Sequence, residues 1–179
     1  MLNLPNLFSL VRIVLILPFL LLLQKGSYGA AFAVGFLAAL TDFFDGVVAR
    51  RLGQQTVLGA YLDPAADKLF MTASFLFLPA VGLLPAWLSA LVIGRDVMIV
   101  LGILVIRLLS IPLEVRPTRA SKITTGLQLA TIGAPLFSAS LYQMPWLTEV
   151  LIFASASGTI FSGWQYLSRG IRVLRRGKN

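Results

Sequence analysis

Apolar residues run on for about 20 positions at a time, and they do so six times along the chain. A helix needs about that length to cross the hydrocarbon of a bilayer. The runs cover 5–24, 29–50, 59–82, 85–108, 121–142 and 146–168. The breaks between them carry turn signals: QKGSYG, RRLGQQTV, VGLLP, SIPLEVRPTRAS and YQMP. Strands of a membrane barrel would instead alternate over segments of ~10 residues. A mean hydropathy of +0.87 and a charged fraction of 12% are far from a soluble domain, where about a quarter of residues are charged. The expected fold is an all-α integral membrane protein, a six-transmembrane-helix bundle forming a single domain over 1–179. Short connections favour sequential helices packed antiparallel. A cleaved leader is a competing reading of the first run. Its length, its Asn6, Ser9 and Arg12, and the lack of a small-x-small cleavage site favour a retained span.

Charge sets the orientation. Arg50 and Arg51 follow the second run, Arg107, Arg116, Arg119 and Lys122 surround the fourth break, and Arg169, Arg172, Arg175, Arg176 and Lys178 fill the tail. With the N-terminus inside, all of these fall on one face and Lys25 on the other. The basic face is expected to be cytoplasmic. The net charge of +8 then needs no nucleic acid to explain it and suits anionic membrane lipids. The tail SRGIRVLRRGKN is read as topogenic and lipid-facing.

The chain has no cysteine and no histidine. Disulfides, thiolate chemistry and thiolate-bound zinc are excluded. A bound metal must be a hard cation on oxygen ligands, of the Mg, Mn or Ca kind. A general base is expected to be a carboxylate.

Of only seven acidic residues, Asp42, Asp45, Asp63 and Asp67 lie within one stretch inside apolar segments. An aspartate at mid-bilayer costs roughly 2.5–3.5 kcal/mol, so this concentration asks for compensation. On a helix, Asp42 and Asp45 share a face, and so do Asp63 and Asp67. Gly59, Asp63 and Asp67 make one stripe, and Asp42, Asp45 and Ala49 another. Gly46 and Ala49 allow close approach of a helix or ligand. Pro64 is tolerated in a first helical turn, so the third helix is expected to begin only a little before it. A short loop can bring the two faces into one pocket, where two divalent cations would cancel four carboxylates. The bland alternatives are ion pairs with Arg50, Arg51 or Lys68, or a role in proton or ion transport.

The pattern Asp42-x2-Asp45-Gly46-x2-Ala49-Arg50-x8-Gly59-x3-Asp63-x3-Asp67 resembles the signature of the CDP-alcohol phosphatidyltransferases. All eight fixed positions are met. The resemblance extends through PNLFSLVR, IGRDV and SKITTGLQ. Ser9 stands where related sequences often carry threonine, and it keeps the hydroxyl.

This resemblance implies transfer of a phosphatidyl group from CDP-diacylglycerol to an alcohol, with release of CMP. It implies a two-metal centre of Mg or Mn held by Asp42, Asp45, Asp63 and Asp67, with Asp67 also the catalytic base. Nucleotide contacts would come from Asn6, Ser9, Asp45, Gly46, Ala49, Arg50 and Gly59. It further implies a six-helix bundle, a homodimer and an active site open to the cytoplasm and inner leaflet, in a bacterial cytoplasmic membrane.

The signature does not name the acceptor. Arg95, inside the fourth run, and Arg119 and Lys122, at the start of the fifth, are cations suited to a phosphate-bearing alcohol. An ion pair with the adjacent Asp96 is the structural reading of Arg95, and topogenic charge that of the other two. The opening segment and LDPAADKL resemble members using glycerol 3-phosphate, the first expectation. GRDVMIVLG and RPTRASKITTGLQ resemble members using phosphatidylglycerol, the second. An inositol phosphate acceptor comes third, and a non-enzymatic transporter last.

Overall fold

The structure, a computed structural model, describes the backbone of residues 4–52, 57–109 and 118–176 and the side chains of 7–41, 62–109 and 118–173. Among the described residues there are six α-helices and no strand. In order they are α1 (Leu4–Gln24), α2 (Tyr28–Leu52), α3 (Val57–Ala80), α4 (Ala86–Leu108), α5 (Arg119–Ser140) and α6 (Pro145–Arg176).

The helix ends have local causes. Gly26 and Gly82 hold φ of 71° and 76°, which only glycine adopts without strain. After α1, Ser27 N donates to Leu22 O and Gly26 N to Leu23 O, both at 3.0 Å. After α3, Leu83 N donates to Leu78 O and Gly82 N to Pro79 O, again at 3.0 Å. Both ends are Schellman turns, which satisfy carbonyls left over at a helix C-terminus. Thr118 caps α5 by accepting from Ser121 N at 3.0 Å.

Two sequence expectations change. Pro64 is the eighth residue of α3, not part of its first turn, because that helix already begins at Val57. With no N–H, Pro64 leaves the carbonyl four residues back without its helical donor. Helix also extends beyond the expected end of the sixth run at 168. Helix α6 runs on through Arg176, because nothing in SRGIRVLRR other than Gly170 disfavours helix.

The chain divides into two compact units. The first comprises Met1–Leu84 and Ile132–Pro145. Here α1 packs on α2 and α3. Phe19 is fully buried against Phe70, ring centroids 5.1 Å apart. A side-chain carbon on Gly35 would stand 3.3 Å from Phe19 Cε2, so glycine there lets α2 approach the ring closely. Phe32 of α2 lies 5.6 Å from Phe137 of the α5 end.

The second unit comprises Pro85–Thr131 and Trp146–Asn179. Its α5 and α6 are joined by polar contacts. Thr124 donates to Gly158 O at 3.0 Å, Gln128 Nε2 to Thr159 Oγ1 at 3.0 Å, and Thr131 to Leu151 O at 3.1 Å. Trp87 of α4 faces Phe153 of α6, ring centroids 6.4 Å apart.

Among the described residues, the stretches Leu7–Gln24 and Ala86–Leu108 are long and apolar enough to cross a membrane. The other helices are diluted by the polar groups that distinguish them. Helix α3 carries Asp63, Asp67 and Lys68, while α5 and α6 carry the hydroxyl and amide contacts. Val97, Val100, Leu101, Leu104 and Leu108 of α4 are half or more exposed, an apolar face that water would cover poorly.

Candidate active site

Helix α3 runs unbroken through Asp63 and Asp67, so these positions lie one turn apart on one face. Both side chains are half-buried. The hydroxyl of Ser9, fully buried on α1, donates to Asp63 Oδ1. A hydroxyl donor fixes which way a carboxylate points. Arg12, one turn beyond Ser9, is a second almost fully buried polar side chain of α1. Sequence reasoning used Arg12 only to argue for a retained span. Its spacing of three from Ser9 was the available signal, since i, i+3 places both on one helix face.

Positions 42, 45, 46, 49 and 50 follow one another on the continuous helix α2, and position 59 lies in the first turn of α3. The side chains of Asp42, Asp45, Gly46, Ala49, Arg50, Gly59 and Asn6 lie outside the described residues, and so does any meeting of the two aspartate pairs. Among the described residues, no group of three or more acidic side chains comes together. The donors that are described fit a hard divalent cation in chemistry. They are oxygens only, carboxylates one turn apart, with a hydroxyl steering one of them.

The predicted acceptor residues belong to the second unit. Arg95 of α4 is nearly buried, with 9% of its side chain exposed. Its Nη1 donates to Asp96 Oδ1 at 2.8 Å and its Nη2 to Ser121 Oγ at 2.8 Å. Its guanidinium carbon lies 5.5 Å from the centre of the Tyr166 ring. Arg119 and Lys122 are exposed on the first turn of α5, the turn that also supplies Ser121. The ion pair with Asp96 was foreseeable from adjacency. Ser121 and Tyr166 were not, because they reach Arg95 from other helices.

Comparison with known proteins agrees with the signature. A family model described as CDP-alcohol phosphatidyltransferase matches residues 2–161. A probable phosphatidylglycerophosphate synthase of Mycobacterium tuberculosis is 34% identical over 178 residues, covering 95% of this chain and 82% of the relative. A CDP-diacylglycerol–glycerol-3-phosphate 3-phosphatidyltransferase of Bacillus subtilis is 29% identical, covering 98% of both chains. A CMP-forming cardiolipin synthase of Rattus norvegicus is 30% identical, covering 97% of this chain and 64% of the relative. With eight signature positions in place and the family model spanning most of its length, the chain belongs to the CDP-alcohol phosphatidyltransferases, a membrane-bound enzyme family.

Proposed function

We propose that this chain transfers the phosphatidyl group of CDP-diacylglycerol to a glycerol-type alcohol and releases CMP, with sn-glycerol 3-phosphate as the acceptor and phosphatidylglycerophosphate as the product. The observation that carries this reading is the pair Asp63 and Asp67, one turn apart on α3, with Asp63 gripped by Ser9 from α1. That arrangement orients one carboxylate and places the next one turn further along the same helix face. The acceptor hydroxyl gives its proton to Asp67. The freed oxygen attacks the β-phosphorus of the donor. The bond to the bridging oxygen breaks and CMP departs with the electron pair. Asn6, Ser9, Asp45, Gly46, Ala49, Arg50 and Gly59 are the proposed nucleotide contacts. Arg95, Arg119 and Lys122 are the proposed contacts for the acceptor phosphate, and three cations suit a doubly charged group.

The family is in general dependent on a divalent metal. Asp42, Asp45, Asp63 and Asp67 would hold two ions, Mg or Mn. When bound, these would neutralise the pyrophosphate and stabilise charge on the attacking and leaving oxygens.

The same reading makes the chain one membrane domain of six spans, a homodimer in a bacterial cytoplasmic membrane with its active site on the cytoplasmic side. Its supports are the family model matched in one piece, the apolar stretches of α1 and α4 and the one-sided arginines and lysines.

Phosphatidylglycerol as acceptor, giving cardiolipin, is the second reading, favoured by relatives named cardiolipin synthase. One assay separates them. Purified protein with Mg or Mn and CDP-diacylglycerol is offered glycerol 3-phosphate, phosphatidylglycerol or inositol phosphate in turn, and CMP and the lipid product are scored. CMP release with glycerol 3-phosphate alone supports the first reading. Release with phosphatidylglycerol alone replaces it with the second. No CMP release with any acceptor rejects both.

A further inference from the structure

The surroundings of Arg95 are more elaborate than an ion pair requires. Asp96 takes one end of the guanidinium and Ser121 the other, each at 2.8 Å. Tyr166 covers one face at 5.5 Å, within cation–π range. Met98 and the aliphatic stem of Arg95 border Gly163, where an added Cβ would lie 3.5 Å from Arg95 Cγ. Three helices of one unit therefore hold a single side chain.

The holding is nonetheless incomplete. Arg95 Nε is buried and has no hydrogen-bond partner among the described residues. A buried charged donor left open is costly and calls for a reason. A purely structural clamp would be expected to satisfy it. The local charge also points one way. Arg95, Arg119 and Lys122 outnumber Asp96 around the first turn of α5 and its partners, a charge balance that favours an anion.

We infer that Asp96, Ser121 and Tyr166 are positioning residues that hold the Arg95 guanidinium ready for the acceptor's phosphate, and so set acceptor affinity without touching the donor nucleotide. The inference rests on the reading that Arg95 binds the acceptor. An arginine free on its stem loses much rotamer freedom when it grips an anion, and one already held loses little. The fork geometry also matches a phosphate better than a neutral hydroxyl. The ligand class is a glycerol carrying a phosphate, either free or as part of a lipid headgroup.

The test uses the full chain in detergent or lipid nanodiscs, with glycerol 3-phosphate and phosphatidylglycerol as separate acceptor arms. Arg95→Gln serves as reference. Ser121→Ala and Tyr166→Leu should raise acceptor KM roughly threefold to thirtyfold, with CDP-diacylglycerol KM unmoved. Ser121→Thr and Tyr166→Phe keep the hydroxyl and the ring, and should restore acceptor KM to within about twofold of wild type. The arm in which the shift occurs identifies the source of the phosphate. If Arg95→Gln raises acceptor KM while Ser121→Ala and Tyr166→Leu do not, the holder is rejected and the acceptor reading stands. If Arg95→Gln leaves acceptor KM unchanged, the acceptor reading falls and the holder with it. Equal rises in both KM values, or no rescue by the conservative variants, would also overturn the inference. Should Tyr166→Leu not fold, the Ser121 pair decides.

Discussion

The two units hold their helices together by different means. In the first, α1, α2 and α3 meet through an apolar centre: Phe19 against Phe70, with Gly35 letting α2 in. Among the described residues, a polar contact between its helices is the Ser9 hydroxyl on Asp63. In the second, α5 and α6 are tied by Thr124, Gln128 and Thr131, and polar contacts run along the interface. The contrast separates two ways to keep a charged group in an apolar chain. A carboxylate can be steered by a hydroxyl reaching it from a neighbouring helix. A buried arginine sits instead in a unit whose helices already exchange several polar contacts.

Four variants test this contrast. The largest effect is expected from Asp67→Asn, which removes the proposed base. Transfer should fall by about two to four orders of magnitude, while thermal unfolding and nucleotide binding stay near wild type. Full activity in this variant would remove Asp67 as base. Next is Phe19→Ala, which empties the ring position at the centre of the first unit. It should cost about 3–5 kcal/mol, read as a large drop in melting temperature in detergent.

Ser9→Ala should be milder in stability but specific in chemistry. Loss of the hydroxyl that orients Asp63 should weaken Mn binding roughly 10- to 100-fold, measured by calorimetry on the protein without substrate. Ser9→Thr should bind Mn normally. A rise in CDP-diacylglycerol KM with Mn affinity unchanged would return Ser9 to the nucleotide contacts. The smallest effect is expected from Thr124→Val, which keeps shape and removes the bond to Gly158 O. Interhelical hydrogen bonds in membrane proteins are worth about 0.6 kcal/mol on average, so the melting temperature should move little. A loss as large as that of Phe19→Ala would erase the contrast between the units.

Much of the architecture was legible because its causes are local. Gly26 and Gly82 mark the ends of α1 and α3 in the sequence as clearly as in the structure. The spacing of Asp63 and Asp67 needed only a helix to become a shared face. Arg119 was placed at the start of the fifth helix, but Thr118 was not recognised as its cap. Pro64 was read by its usual preference, which the surrounding helix overrode. The contacts that matter most for chemistry were not legible. Ser9 and Asp63 are 54 residues apart, and Arg95 and Ser121 are 26 apart. Such pairs are set by packing between helices, and a single sequence carries no periodic signal for them.

The unbroken course of α6 has a mechanical consequence. Its 32 residues make a rod about 48 Å long, whereas hydrocarbon occupies about 30 Å. On the six-span reading proposed above, an upright rod of that length would protrude by about 18 Å. The exposed Arg169 and Arg172 are then rungs at fixed heights on a stiff post. On that reading their height above the acyl chains would follow the length of α6, so adding or removing a turn of helix there would raise or lower the arginines together.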